Sequence, residues 1–262
     1  MNKFTRILIK FKNNKRFSVI LLFVVLLVLI VAGLFFLSQK AWDDYTIKND
    51  KYFENSKADI DSAMSQIPIE SKLSLSDKLS IIVQVQSKLK ADVDKFCDVN
   101  MMIKWQSFVE QYSDKIDKCA SKKGDLNEYL LKLSVITDYL ANEQELSKII
   151  STANEATNQN NQIDKWGLVE PFWRQASSDT SKLADIEQFG EVKTLAIQKI
   201  NNIGDAWLQL VNANNAKDRQ KFQESQTNLT NTYASIVEIG NNSKLQVEKM
   251  TADLAINHEE VF

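Results

Sequence analysis

Few side chains in this 262-residue sequence are of a type and spacing that perform chemistry. The single histidine, His258, sits in the C-terminal tail beside Glu259 and Glu260. No Ser-His-Asp triad, Cys-His pair or His-rich metal site is available unless that one imidazole serves it, and it reads as a frayed end. Six glycines, Gly33, Gly124, Gly167, Gly190, Gly204 and Gly240, are too dispersed for a G-x-G-x-x-G or Walker loop, which need clustered glycines to bring backbone N–H groups to phosphate. Asp92 and Asp94 lack the glycine and the terminal glutamate of a calcium loop. Acids and lysines are scattered as on a solvated helix face, and no isolated carboxylate pair suggests an acid/base dyad. The sequence therefore predicts no catalytic site, no bound metal and no cofactor.

Two groups of residues remain. Cys97 and Cys119 predict a structural disulfide if the surrounding segment faces an oxidising compartment. Buried free thiols and a reactive thiol pair are the alternatives; the latter needs electropositive surroundings, whereas Asp94, Asp98, Asp114 and Asp117 lie nearby. A helix over 105–119 would carry Cys119 about 21 Å away, so closing the bridge predicts an extended crossing over 98–104 that the helix then retraces. The second group is the stretch 166–173, where Trp166, Pro171, Phe172 and Trp173 gather beside Gly167. These residues are a candidate partner-binding patch, or else a plug at the end of a helical bundle. Trp105 and Trp207 fall on helical stripes and read as core.

The elements that must position these residues follow from composition. Six glycines and two prolines compare with roughly 18 and 13 at average usage. Tight turns need both residues, so long helices with few connections are expected. Residues 17–37 form an uncharged apolar run of about 31 Å as a helix, enough to cross a bilayer core. The run is longer than a signal-peptide core and no small-residue cleavage site follows, so an uncleaved signal anchor is expected. Lys3, Arg6, Lys10, Lys12, Lys15 and Arg16 precede it without an acid. The positive-inside rule puts that 1–16 arm in the cytoplasm, against anionic lipid, and 38–262 outside. Once those six charges are set aside, the remainder is acidic, a poor nucleic-acid binder.

Beyond the membrane, Trp42, Tyr45, Tyr52, Phe53, Ile60, Met64 and Ile67 recur at helical spacing, in a membrane-proximal helix (38–70) that Pro68 ends or kinks. Trp42 and Tyr45 sit where an aromatic belt would lie and also where helices would pack. Ser74 and Asp77 form a capping box before a helix over 75–97. Lys122-Lys123-Gly124 reads as a helix end, with a new helix starting at Asp125. Helices are also expected over 171–189 and 190–257, the latter an antiparallel hairpin turning at 212–218 and bent near Gly240. The expected fold is all-α: one N-terminal transmembrane helix, then an elongated extracytoplasmic bundle of about six helices, with coiled-coil-like stripes and sub-bundles at 71–165 and 166–262. The expected role is a structural or interaction module contacting a protein partner at the membrane surface, and a homo-oligomer is compatible with it. The alternative is a sensory or ligand-binding helical ectodomain whose output needs a partner subunit. A cavity of a few hundred Å³ with converging polar groups would favour the alternative.

Overall fold

The computed structural model describes residues 15–65, 74–99, 101–104 and 110–261. Among them the regular structure is helical, with no strand: α1 (Lys15–Met64), α2 (Leu75–Val93), α3 (Met101–Lys104), α4 (Glu110–Gln159), α5 (Val169–Ser181), α6 (Gly190–Asn215), α7 (Arg219–Ala234) and α8 (Val237–Val261). Short 3₁₀ turns, Ile163–Leu168 and Glu187–Phe189, precede α5 and α6. The fold is thus all-α, with one long apolar N-terminal helix followed by a helical bundle.

Helix α1 changes character along its length. Its apolar stretch has a mean hydropathy of 3.5 and none of it is buried. From Ser38 onward burial becomes one-sided, recurring at Trp42, Tyr45, Asn49, Phe53, Ser56, Ile60 and Ala63 in steps of three and four, the signature of a helix with one packed face. Pro68 and Trp105 lie outside the described residues.

Contacts divide the chain into two compact units. The first comprises residues 1–55 and 94–124, the second 56–93 and 125–262. The division expected near residue 167 falls inside the second unit. There, hydrogen bonds cross the 160–168 connection: Trp173 Nε1 donates to Thr157 Oγ1 at 3.0 Å, and Asn142 Nδ2 to the Ala184 carbonyl at 2.9 Å.

The expected capping box forms. The Asp77 N–H donates to Ser74 Oγ at 3.2 Å, and the Ser74 N–H to Asp77 Oδ2 at 3.3 Å. The turn at 212–218 also forms. Lys217 adopts a left-handed φ of 56°, the Asp218 N–H reaches back to Ala213 O at 3.2 Å, and Asp218 caps α7 by accepting from the Lys221 N–H at 3.1 Å.

Four expectations are corrected. Helix α4 runs straight through Gly124. A glycine costs about 1 kcal/mol in a helix interior, and the apolar stripe stays in phase across it, Cys119 to Leu126 being one heptad. The segment 98–104 is not extended throughout, because Met101–Lys104 forms one helical turn that buries Ile103. Helix α5 stops at Ser181 rather than 189, in the run Ser177-Ser178-Asp179-Thr180-Ser181, whose side chains compete for backbone hydrogen bonds. Lys193 Nζ then holds the following loop by donating to Leu183 O at 2.6 Å. The last break lies at Ser235 and Ile236, and Gly240 sits inside α8.

Scarce glycine is therefore not reserved for turns. No glycine has positive φ; among the described residues the left-handed positions are Cys97 (φ 59°) and Lys217. A left-handed L-residue costs about 1–2 kcal/mol, so both positions have to be held by their surroundings.

Candidate functional site

In the first unit, the Cys97 and Cys119 sulfurs lie at disulfide distance, 2.08 Å, with Cα atoms 5.8 Å apart. Asn49 on α1 holds the left-handed Cys97. Its Oδ1 accepts the Cys97 N–H at 3.0 Å, while its Nδ2 donates to Tyr45 O at 2.9 Å. Lys123 Nζ reaches the neighbouring Phe96 carbonyl at 3.3 Å. Phe96 itself stacks on Phe53, with centroids 4.5 Å apart and planes within 9°, and meets the edge of Tyr52 at 5.6 Å. Trp42 stacks on Tyr112 at 4.6 Å. Trp42 and Tyr45 are buried packing residues here.

In the second unit, the four residues of the candidate patch separate. Trp173 is 0% exposed; it donates to Thr157 and meets the edge of Tyr233 at 5.5 Å. This burial removes Trp173 from any exposed patch: its position, four residues after the buried Val169, turns it into the helix interface. Trp166 is half-buried, stacked on Phe222 at 6.0 Å and donating to Asn161 O at 2.9 Å. Phe172 (39% exposed) lies beside exposed Pro171, and with Leu168 (56%) and Ile163 (62%) it leaves an apolar surface along the 3₁₀ turn and the start of α5. Trp207 is core, donating to Tyr233 Oη at 3.0 Å. Leu168 and Ile163 were not among the sequence candidates; their signal was the apolar content of the same short segment.

Two further features of this unit had no sequence forecast. The first is a polar cluster inside the packing of α4 and α8. The Tyr139 and Ser243 hydroxyls share a hydrogen bond at 3.0 Å. Half-buried Glu143 lies one turn along α4, and its Oε2 is buried without a hydrogen-bond partner among the described residues. Burial pushes the Tyr139 hydroxyl up to about 12, with the Ser243 hydrogen bond opposing and the Glu143 charge adding. Burial likewise raises the Glu143 carboxyl above its usual range, against the Ser243 hydroxyl and the Lys78 ammonium.

The second feature is a cleft of about 540 Å³ between α4, the segment 187–191 and α8. Val135, Ile136, Met250 and Leu254 supply its apolar lining, and Lys132, Lys249, Glu187, Glu191, Asp253, Gln188 and Gln246 its polar lining. Sequence reading missed it because its walls come from three distant segments. The broadened stripe Val135-Ile136 was the one available trace.

Among the described residues no three His, Cys, Asp or Glu side chains gather to hold a metal. The chain matches no family model, no curated protein and no solved structure.

Proposed function

We propose that this chain is a membrane-anchored extracytoplasmic helical-bundle protein, acting as a structural or interaction module for a protein partner at the cell surface. The observation that carries the reading is the switch within α1. Residues 19–37 are exposed and apolar all round, whereas from Ser38 the same helix buries one face in packed structure. An all-round apolar helix needs lipid to cover it, and a one-sided helix needs protein. The basic arm before the apolar stretch supports an inward N-terminus, and the Cys97–Cys119 pair supports an oxidising location for the first unit. The surface Ile163, Leu168 and Phe172, flanked by Pro171 and half-buried Trp166, supplies an apolar contact for a partner.

The test is crosslinking in intact cells followed by pull-down through the C-terminus. A specific protein partner is expected, its yield falling in the double variant Leu168→Ala/Phe172→Ala while the melting temperature stays put. Undiminished capture by that variant removes the patch from the reading; capture of no specific protein removes the reading itself.

The cleft favours a second reading, a ligand-binding or sensory ectodomain that signals through a partner subunit. Its volume and its apolar lining with converging charges match the general anatomy of small-molecule sites.

A further inference from the structure

We propose that the cleft between α4, the segment 187–191 and α8 binds a short apolar peptide with free termini, Lys249 receiving its carboxylate and Glu187 its ammonium; this rests on the ligand-binding reading. The cleft offers about 540 Å³, within the roughly 300–1,000 Å³ of ligand sites. Val135, Ile136, Met250 and Leu254 suit apolar side chains. The charges around them are not equivalent. Lys132 is engaged by Glu128 at 2.9 Å, and Glu191 accepts from Gln246 at 3.4 Å. Lys249 and Glu187 are exposed, and among the described residues neither makes an ion pair. They stand on different walls, α8 and the 3₁₀ turn, facing one cleft with opposite sign. A ligand charged oppositely at its two ends satisfies both through charge-assisted hydrogen bonds. A polyanion meets Glu187, Glu191 and Asp253, and a neutral hydrocarbon leaves both charges without partners. A separate groove toward the C-terminal end of α6, lined by Gln209, Asn212, Lys221, Glu224, Ser225 and Asn228 and about 600 Å³, has Ala213 and Ala216 as its apolar lining and gives such a peptide no apolar floor.

The experiment uses the full chain in detergent micelles, titrated calorimetrically with trileucine and with its N-acetyl, C-amide analogue. Saturable binding of trileucine is expected, with the doubly capped analogue about a hundredfold weaker, the worth of two charge-assisted hydrogen bonds. Lys249→Glu and Glu187→Lys each lower affinity about tenfold without moving the melting temperature. The double exchange recovers most of the loss, because the peptide then lies reversed. Equal affinity for the capped analogue, or indifference to both single exchanges, overturns the peptide assignment while leaving a ligand site. Binding of neither peptide also overturns it. A thermal-shift screen of small metabolites run alongside then decides the parent reading: a hit keeps it, and a blank removes it.

Discussion

The two units solve the problem of holding helices together with different materials. The described core of the first is aromatic: Trp42, Tyr45, Phe53 and Phe96 stack or meet edge to face, with Ile103 and the Cys97–Cys119 bridge beside them. The core of the second is mainly aliphatic rows, such as Leu126, Leu133, Ile136 and Leu140 on α4 and Val192, Ala196, Ile200 and Ile203 on α6, with Tyr129, Tyr139, Trp173, Phe189 and Trp207 set among them. The polar handles of the aromatics differ as well. In the second unit Trp173, Trp207 and Tyr139 each have a hydrogen-bond partner. In the first, Trp42 Nε1 and Tyr45 Oη have none among the described residues. Long repetitive stripes bury area continuously and need no crosslink, whereas a core with few rows gains most from stacking, a bridge and one well-placed amide.

The largest expected effect separates two tryptophans seven residues apart. Trp173→Ala removes a fully buried side chain and its hydrogen bond to Thr157, whose hydroxyl still donates to Ala153 O, a loss of about 3–5 kcal/mol. Trp166→Ala, half-buried at the surface, costs clearly less. Urea denaturation of the two variants measures the difference; equal losses would mean that Trp166 is as much a part of the core as Trp173.

Most of this architecture was legible, and the exceptions share one cause. The apolar run 17–37, the Ser74–Asp77 capping box and the hairpin turn at 212–218 are local devices, complete within a few residues, and each formed. Gly124 misled because a composition signal for helix ending competes with stripe phase, and seven-residue continuity from Cys119 to Leu126 outweighs about 1 kcal/mol of glycine cost. Trp173 misled because exposure is decided by which face α5 turns toward α4 and α6. The cleft left no more than the broadened stripe Val135-Ile136 in the sequence, since no sequence window contains residues 132, 187 and 250 together.

The next effect tests the staple. A bridge closing a sequence separation of 22 contributes about 3 kcal/mol in the chain-entropy model. Reduction, or Cys97→Ser with Cys119→Ser, is expected to loosen the first unit while leaving the second intact. Hydrogen exchange followed by mass spectrometry reads this directly: faster exchange in 94–99 and 112–122, with 126–157 unchanged. Acceleration spread evenly over both stretches would erase the contrast between the units.

Asn49 sharpens the same contrast at smaller scale. Asn49→Ala leaves the Cys97 N–H without its acceptor in a left-handed turn, costing about 1–3 kcal/mol. Asn49→Asp keeps an acceptor for that N–H and is expected to recover part of the loss. If alanine and aspartate variants melt alike, the amide is a space filler and the turn is held by the bridge.

The smallest effect belongs to the second unit and depends on pH. Burial raises the Glu143 carboxyl, so the folded state binds its proton more tightly than the unfolded chain. Its contribution is then fully present below the ordinary glutamate value and is lost as pH rises through the raised one. Above that point a charged oxygen, Oε2, sits buried without a partner among the described residues, opposed by Lys78 and the Ser243 hydroxyl but not neutralised by them. Glu143→Gln keeps the shape and removes the titration. The variant is expected to melt higher than the parent at neutral pH and to lose the decline across the mildly acidic range, while the first unit, which lacks this residue, behaves as before. A parent whose second unit becomes more stable as pH rises through that range would reverse the sign and show that Lys78, not burial, governs Glu143.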